Sequence, residues 1–158
     1  MCIRDRCERE HNIVNSLYLK PEELEIKNFE RYQKYKTIEE NETMYEEYLM
    51  EDAEVCVVAF GITARVAKNA VNEARKRGIK VGMIRPITLW PFPTKPLKAA
   101  AEKCKRFITV EMNMGQMIDD VRLAIDCKRP VDLCNRVGGM IPTPEDVLSA
   151  IMSNGGAE

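Results

Sequence analysis

Hydrophobic and polar positions fall into two regimes along the chain. From Ala53 onward, short β-branched runs alternate with stretches whose apolar residues recur every three or four positions, the signature of a parallel sheet covered by helices. The runs predict strands at Glu54–Phe60, Lys80–Ile84, Phe107–Val110 and Val131–Cys134. After the first strand, Val66, Ala67, Ala70, Val71 and Ala74 share one helical face, and Gly78 stops the helix. The segment from Arg85 to Pro93 contains three prolines, which remove donors and push each preceding residue out of helical space, so a rigid irregular loop is expected. Thr94 is placed to cap a helix carrying Leu97, Ala100 and Ala101, and Met117, Ile118, Val121 and Ile125 mark the face of another. Thr143-Pro144-Glu145-Asp146 joins a capping side chain, a proline at the first helical position and early acids, opening a last helix to about Met152.

Before Ala53 the pattern is different: there is no glycine and the single proline is Pro21, followed by Glu22 and Glu23 at what would be a positive helix end. A helix is expected over Pro21–Lys36. Thr37 with Glu40 three residues on has the capping-box pattern, which predicts a second short helix to about Leu49. Tyr32, Tyr35, Tyr45 and Tyr48 decorate both, and are expected to cover the edge of the following domain rather than to form a docking arm. The expected fold class is α/β, a three-layer, mainly parallel sheet of four or five strands with helices on both faces, preceded by a helical N-terminal arm. Residues 1–20 are expected to be irregular, 21–52 a helical lead-in, 53–152 the α/β domain and 153–158 a frayed tail.

Charge sharpens the division. Residues 1–52 carry 8 basic and 14 acidic side chains, a net −6, whereas 53–158 carry 16 and 11, a net +5, and the whole 158-residue chain sums to −1. No global field draws it to nucleic acid or a membrane surface, and no partner of either kind is expected. The longest apolar run, Val55 to Phe60, is far short of the ~20 residues that span a bilayer, and the opening residues lack the apolar core of a signal peptide. A cytoplasmic location is expected, with Cys2, Cys7, Cys56, Cys104, Cys127 and Cys134 as free thiols; no two have the spacing of a metal half-site. His11 is the sole histidine and no G-x-S-x-G turn occurs, which disfavours a Ser-His triad.

In a parallel sheet the C-terminal strand ends share one rim, so Gly61, Arg85, Glu111 to Asn113 and Asn135 to Gly139 are expected to gather there. Gly61 stands alone without a dinucleotide fingerprint, and no phosphate-binding G-x-x-x-x-G-K-[ST] exists. Arg85 and Glu111 could hold an anion or act as acid and base; an interdomain ion pair is the commoner outcome. Gly138-Gly139 could cradle a phosphate, though such pairs more often permit a tight loop. Trp90 and Phe92, held by prolines, fit a seam between domains better than a substrate grip. The candidate interface rim is therefore Arg85, Trp90, Phe92, Glu111 and Asn113, with no catalytic, cofactor-binding or metal-ligating residue assigned.

Three strings carry a family resemblance: "GITARVAKNAVNEARKRGIKVGMIRPITLWPFP" from Gly61 to Pro93, "VEMNMGQMIDDVRLA" at Val110 to Ala124 and "NRVGGMIPTPEDVL" at Asn135 to Leu148. They resemble the C-terminal, transketolase-C-like part of the α subunit of 2-oxoacid:ferredoxin oxidoreductases, and "GGMIPTPEDVL" with "SLYLKPEELE" is most similar to the branched-chain (2-ketoisovalerate) type. The resemblance implies a multi-subunit enzyme that converts a 2-oxoacid and coenzyme A to acyl-CoA and CO2 while reducing ferredoxin. It implies thiamine diphosphate, Mg and iron-sulfur clusters in the complete enzyme, none of them bound by this chain. The implied partners are an N-terminal thiamine-pyrimidine domain of the same subunit, which supplies the cofactor-activating carboxylate, and thiamine diphosphate-binding, γ and ferredoxin-like subunits. The chain alone is expected to be inactive. Met1-Cys2-Ile3-Arg4-Asp5-Arg6 has no counterpart in the family pattern and resembles translated adapter sequence, so a truncated reading frame with a spurious start is expected. Two other classes compete. A receiver-like signalling module needs clustered acids at strand ends, which Phe60-Gly61 and a single Glu111 do not offer, and another thiamine enzyme of transketolase or oxoacid dehydrogenase β type is disfavoured by "RPITLWPFP".

Overall fold

The β-branched and apolar runs form the central strands of a five-stranded sheet, because each is buried on both faces and its backbone groups pair only with neighbouring strands. The computed structural model describes residues 17–153. In chain order the elements are α1 (Pro21–Asn41), β1 (Tyr45–Tyr48), β2 (Val55–Ala59), α2 (Gly61–Lys76), β3 (Val81–Pro86), α3 (Thr94–Lys103), β4 (Arg106–Glu111), α4 (Met117–Ala124), β5 (Val131–Asn135) and α5 (Pro144–Met152). The sheet order is β1-β3-β2-β4-β5, with β1 antiparallel to β3 and every other pair parallel. The α/β class, the mainly parallel sheet and the helices on both faces are as the sequence pattern predicts.

Alternation along the strands sends Cys56, Val58, Ile84 and Phe107 into one apolar layer with Leu97 and Ala101 of α3 and Met117 and Val121 of α4. Val57, Ala59, Met83, Ile108 and Val110 enter the other, against Ala67, Val71 and Ala74 of α2 and Val147 and Ile151 of α5. The small residues of α2 let the helix lie close on the sheet. At the α5 start the expected Thr143 cap is present and closes into a reciprocal capping box, with Asp146 N donating to Thr143 Oγ1 at 3.2 Å and Thr143 N to Asp146 Oδ2 at 2.9 Å. Arg106, mostly buried, pairs with Asp132 at 3.1 Å and donates to the carbonyls of Ala150 and Ile151, fastening the end of α5 to the sheet.

The chain divides into two units, up to Thr37 and from Ile38 to Glu158. Within the described part of the first, α1 has no buried residue, and Leu24, Ile26, Phe29 and Tyr32 are exposed. The expectation of two helices in 21–52 is overturned. Thr37 Oγ1 donates back to Gln33 O at 3.1 Å, as a mid-helix threonine does, so one helix continues to Asn41. Tyr45–Tyr48 is then a strand rather than helix, because its backbone completes the outer edge of β3 in the register Glu46↔Arg85 and Tyr48↔Met83. Two smaller corrections concern the segment around the prolines. Arg85 and Pro86 belong to β3, not to the proline loop, and Pro86 is tolerated where the strand ends. Thr94 is the first residue of α3 rather than its cap, its Oγ1 turned toward Phe92 O at 3.5 Å, and Pro93 holds the cap position. The expected irregular start at 1–16 and the frayed tail from 154 lie outside the described residues.

Candidate functional site

The strand ends do form one rim, but its charged residues are not arranged as an acid-base set. Arg85 leaves the end of β3 and Glu111 the end of β4, and β2 lies between those strands, so the expected adjacency of Arg85 with Glu111 and Asn113 fails on strand order. Arg85 instead meets its register partner, Nη1 donating to Glu46 Oε2 at 3.0 Å, an ion pair inside the sheet rather than between domains.

Glu111 is only 1% exposed. Its carboxylate turns inward onto the start of α4, where Oε2 accepts from Gln116 N at 3.0 Å and Met117 N at 2.8 Å and Oε1 accepts from Ile118 N at 2.9 Å. A full negative charge therefore sits on the positive end of that helix and satisfies amides that have no intrahelical partner. This occupies both oxygens and makes Glu111 an anchor of the β4–α4 turn. Asn113 finishes the same turn. Its Oδ1 accepts from Gly115 N at 2.7 Å and Gln116 N at 3.0 Å, while Asn135 Nδ2 donates to Asn113 O at 2.7 Å and ties β5 to it. The structure thus unites Glu111, Asn113 and Asn135 in one hydrogen-bonded cluster. Gly138 and Gly139 both take left-handed φ, 65° and 86°, the tight-loop role.

Trp90 and Phe92 lie in a second place. The Trp90 loop is pinned to the segment before β1: Ile87 N and Thr88 N donate to Met44 O at 3.0 and 3.2 Å, and Met44 N donates to Thr88 Oγ1 at 3.0 Å. Thr88 Oγ1 in turn donates to Pro91 O at 2.8 Å. Held this way, Phe92 turns into the α3–α4 core layer while Trp90 stays 57% exposed. A groove of about 560 Å³ opens beside them, lined by Trp90, Phe92, Tyr45, Glu39, Glu40 and Lys95 among others. Tyr45 and the two glutamates were not picked out as site residues in the sequence, since only the long-range β1–β3 pairing brings that segment to the loop. Tyr48 behaves as expected of an edge-covering aromatic, packed against the α2 side with its hydroxyl donating to Asn72 Oδ1 at 2.7 Å and Lys68 over its ring at 4.4 Å.

Among the described residues no group of three or more His, Cys, Asp or Glu side chains is placed to hold a metal ion. Cys56, Cys104, Cys127 and Cys134 are free thiols, and burial pushes the Cys56 and Cys134 thiols up, away from ionisation. His11, Cys2 and Cys7 lie outside the described residues. No helix among the described residues is long and apolar enough to cross a membrane.

What the rim offers is a braced surface on an open α/β sheet, and comparison with known proteins says whose. The family model of "Pyruvate:ferredoxin oxidoreductase core domain II" matches residues 53–147. The chain belongs to that family. The ketoisovalerate oxidoreductase subunit VorB of Methanothermobacter marburgensis is 51% identical over 140 residues, 89% of this chain and 40% of that protein. The 2-oxoglutarate synthase subunit KorA of Methanothermobacter thermautotrophicus is 37% identical over 107 residues, 68% of this chain and 28% of its own length. Among solved structures, a 2-oxoglutarate:ferredoxin oxidoreductase from Magnetococcus marinus superimposes with a TM-score of 0.70 at 23% identity over 85% of this chain and 23% of that one, a likeness of fold. The chain thus spans less than half the length of these relatives. The core domain II family assignment also disfavours the receiver-like and other-thiamine-enzyme readings.

Proposed function

We propose that this chain supplies one α/β domain of the α subunit of a coenzyme A-dependent 2-oxoacid:ferredoxin oxidoreductase, of the branched-chain type. The observation that carries the reading is the 51% identity over nearly the whole chain with a ketoisovalerate oxidoreductase subunit. The overall reaction takes a 2-oxoacid, coenzyme A and oxidised ferredoxin to acyl-CoA, CO2 and reduced ferredoxin. The complete enzyme uses thiamine diphosphate, Mg and iron-sulfur clusters in other domains and subunits, and works in the cytoplasm. This domain's part is architectural. Its one fully buried carboxylate among the described residues, Glu111, is committed to the amides of α4, which leaves it no role in activating a cofactor. The groove beside the exposed Trp90 serves assembly, having an aromatic anchor beside polar groups.

Co-purification with the remaining subunits tests this. The complete complex should reduce ferredoxin or viologen with 3-methyl-2-oxobutanoate and coenzyme A faster than with 2-oxoglutarate, and this chain by itself should give no reduction with either. Turnover by the isolated chain would overturn the architectural role, and a complex preferring 2-oxoglutarate would overturn the substrate class.

A further inference from the structure

We propose that the groove between the last turn of α1 and the Trp90 loop receives an arginine or lysine side chain from another subunit of the assembly. The inference rests on the assembly reading above and adds the chemistry of the partner. The groove walls are aromatic, with Trp90, Phe92 and Tyr45, and its charged members are Glu39, Glu40 and Lys95, a net −1. The ion pairs among the described residues involve none of these three. A second observation points the same way. The last turn of α1 has no basic residue, so Glu39 and Glu40 stand at the end of the helix where the backbone carbonyls are already negative. Acids are unfavourable there unless a cation neutralises them, and a helix that ends this way presents a negative potential beside the half-exposed Trp90.

A guanidinium or ammonium group suits both features at once. Its charge meets the carboxylates and the carbonyl end of α1, while its planar or methylene surface lies on Trp90. A purely apolar occupant would use the rings but leave two glutamates to be desolvated without a partner, and an anionic occupant would be repelled by them.

The test uses the complete complex, with the dissociation constant between this subunit and its partners followed as ionic strength is raised. E39Q/E40Q is expected to weaken assembly roughly tenfold and to flatten its salt dependence, E39K/E40K to weaken it further, and K95Q to tighten it. Unchanged unfolding midpoints of the variants separate these effects from misfolding. E39Q/E40Q assembling with the wild-type constant and the wild-type salt dependence overturns the proposal. If W90A weakens assembly while the glutamate variants do not, the assembly surface stands and the cationic partner falls. If W90A also assembles as wild type, both readings fall together.

Discussion

Removing the Glu111 carboxylate should be the most damaging single change at the rim, although the side chain is buried. It accepts three backbone N–H groups between 2.8 and 3.0 Å. In Glu111→Ala, Gln116 N keeps its bond to Asn113 Oδ1, but Met117 N and Ile118 N, both at buried residues, lose their only acceptor. Each orphaned buried donor costs about 1–3 kcal/mol, and part of this is offset because a charge no longer has to be buried. The net loss is about 3 kcal/mol. Glu111→Gln keeps one acceptor oxygen but points its NH2 at the other amide, so about 2 kcal/mol is expected there. Against a total stability of ~5–15 kcal/mol these are large fractions. Urea unfolding, followed by the emission of the chain's one tryptophan, reads the change directly. With a slope of about 1–3 kcal/mol per molar urea, the Ala midpoint should fall by roughly 1–3 M. Hydrogen exchange at the amides of Met117 and Ile118 should quicken more than exchange in α2. Unfolding free energies of both variants within about 0.5 kcal/mol of wild type would refute the claim that this buried cluster stabilises the turn.

Gly82→Ala places a Cβ 2.5 Å from Leu49 O and 2.5 Å from Met50 Sδ, so the segment following β1 must shift; a loss of about 1–3 kcal/mol is expected in the same urea experiment, with faster proteolysis around residue 50. Asp146 is held down from its ordinary 3.8 to about 2 by the Arg136 guanidinium and by the Thr143 amide. A carboxyl depressed on folding adds stability above its unfolded value, so the contribution is complete above about pH 4 and disappears as pH falls through 2. Between pH 6 and pH 2 the melting temperature of Asp146→Asn should consequently vary less than that of wild type.

The sheet and its helices were legible because their signal is local. Val55–Ala59 and Arg106–Glu111 read as strands from their apolar runs, and α2 from alanines and valines on one face, and each element buries what its period indicates. Thr143 to Asp146 was legible for the same reason, since a capping box involves only neighbours. The segment 37–49 was misread because Thr37 and Glu40 carry a helix-start pattern that the preceding turn of α1 simply absorbs. Tyr45–Tyr48 lacks apolar alternation and becomes a strand only through pairing some forty residues away. The rim was half legible. Arg85 and Glu111 lie at strand ends as expected, but the strand order that separates them depends on crossovers that no local pattern encodes. Nor does any short spacing announce that Glu111 will serve amides five to seven residues further on.

Strand β1 has a consequence for where this domain can safely be cut. It pairs along four residues of β3, and the strand itself is short and carries Glu46 and Glu47, features that keep an outer edge from recruiting another chain. A piece confined to residues 53–147, the span the family model matches, would strip that cover and leave the backbone of β3 open along its outer side. It would also sever α5 after Val147, taking away buried Ile151 and the two carbonyls that Arg106 holds. The exposed β3 edge would then be a template for intermolecular strand addition, and the segment from Ile38 would be what stands between a soluble domain and one that associates with itself.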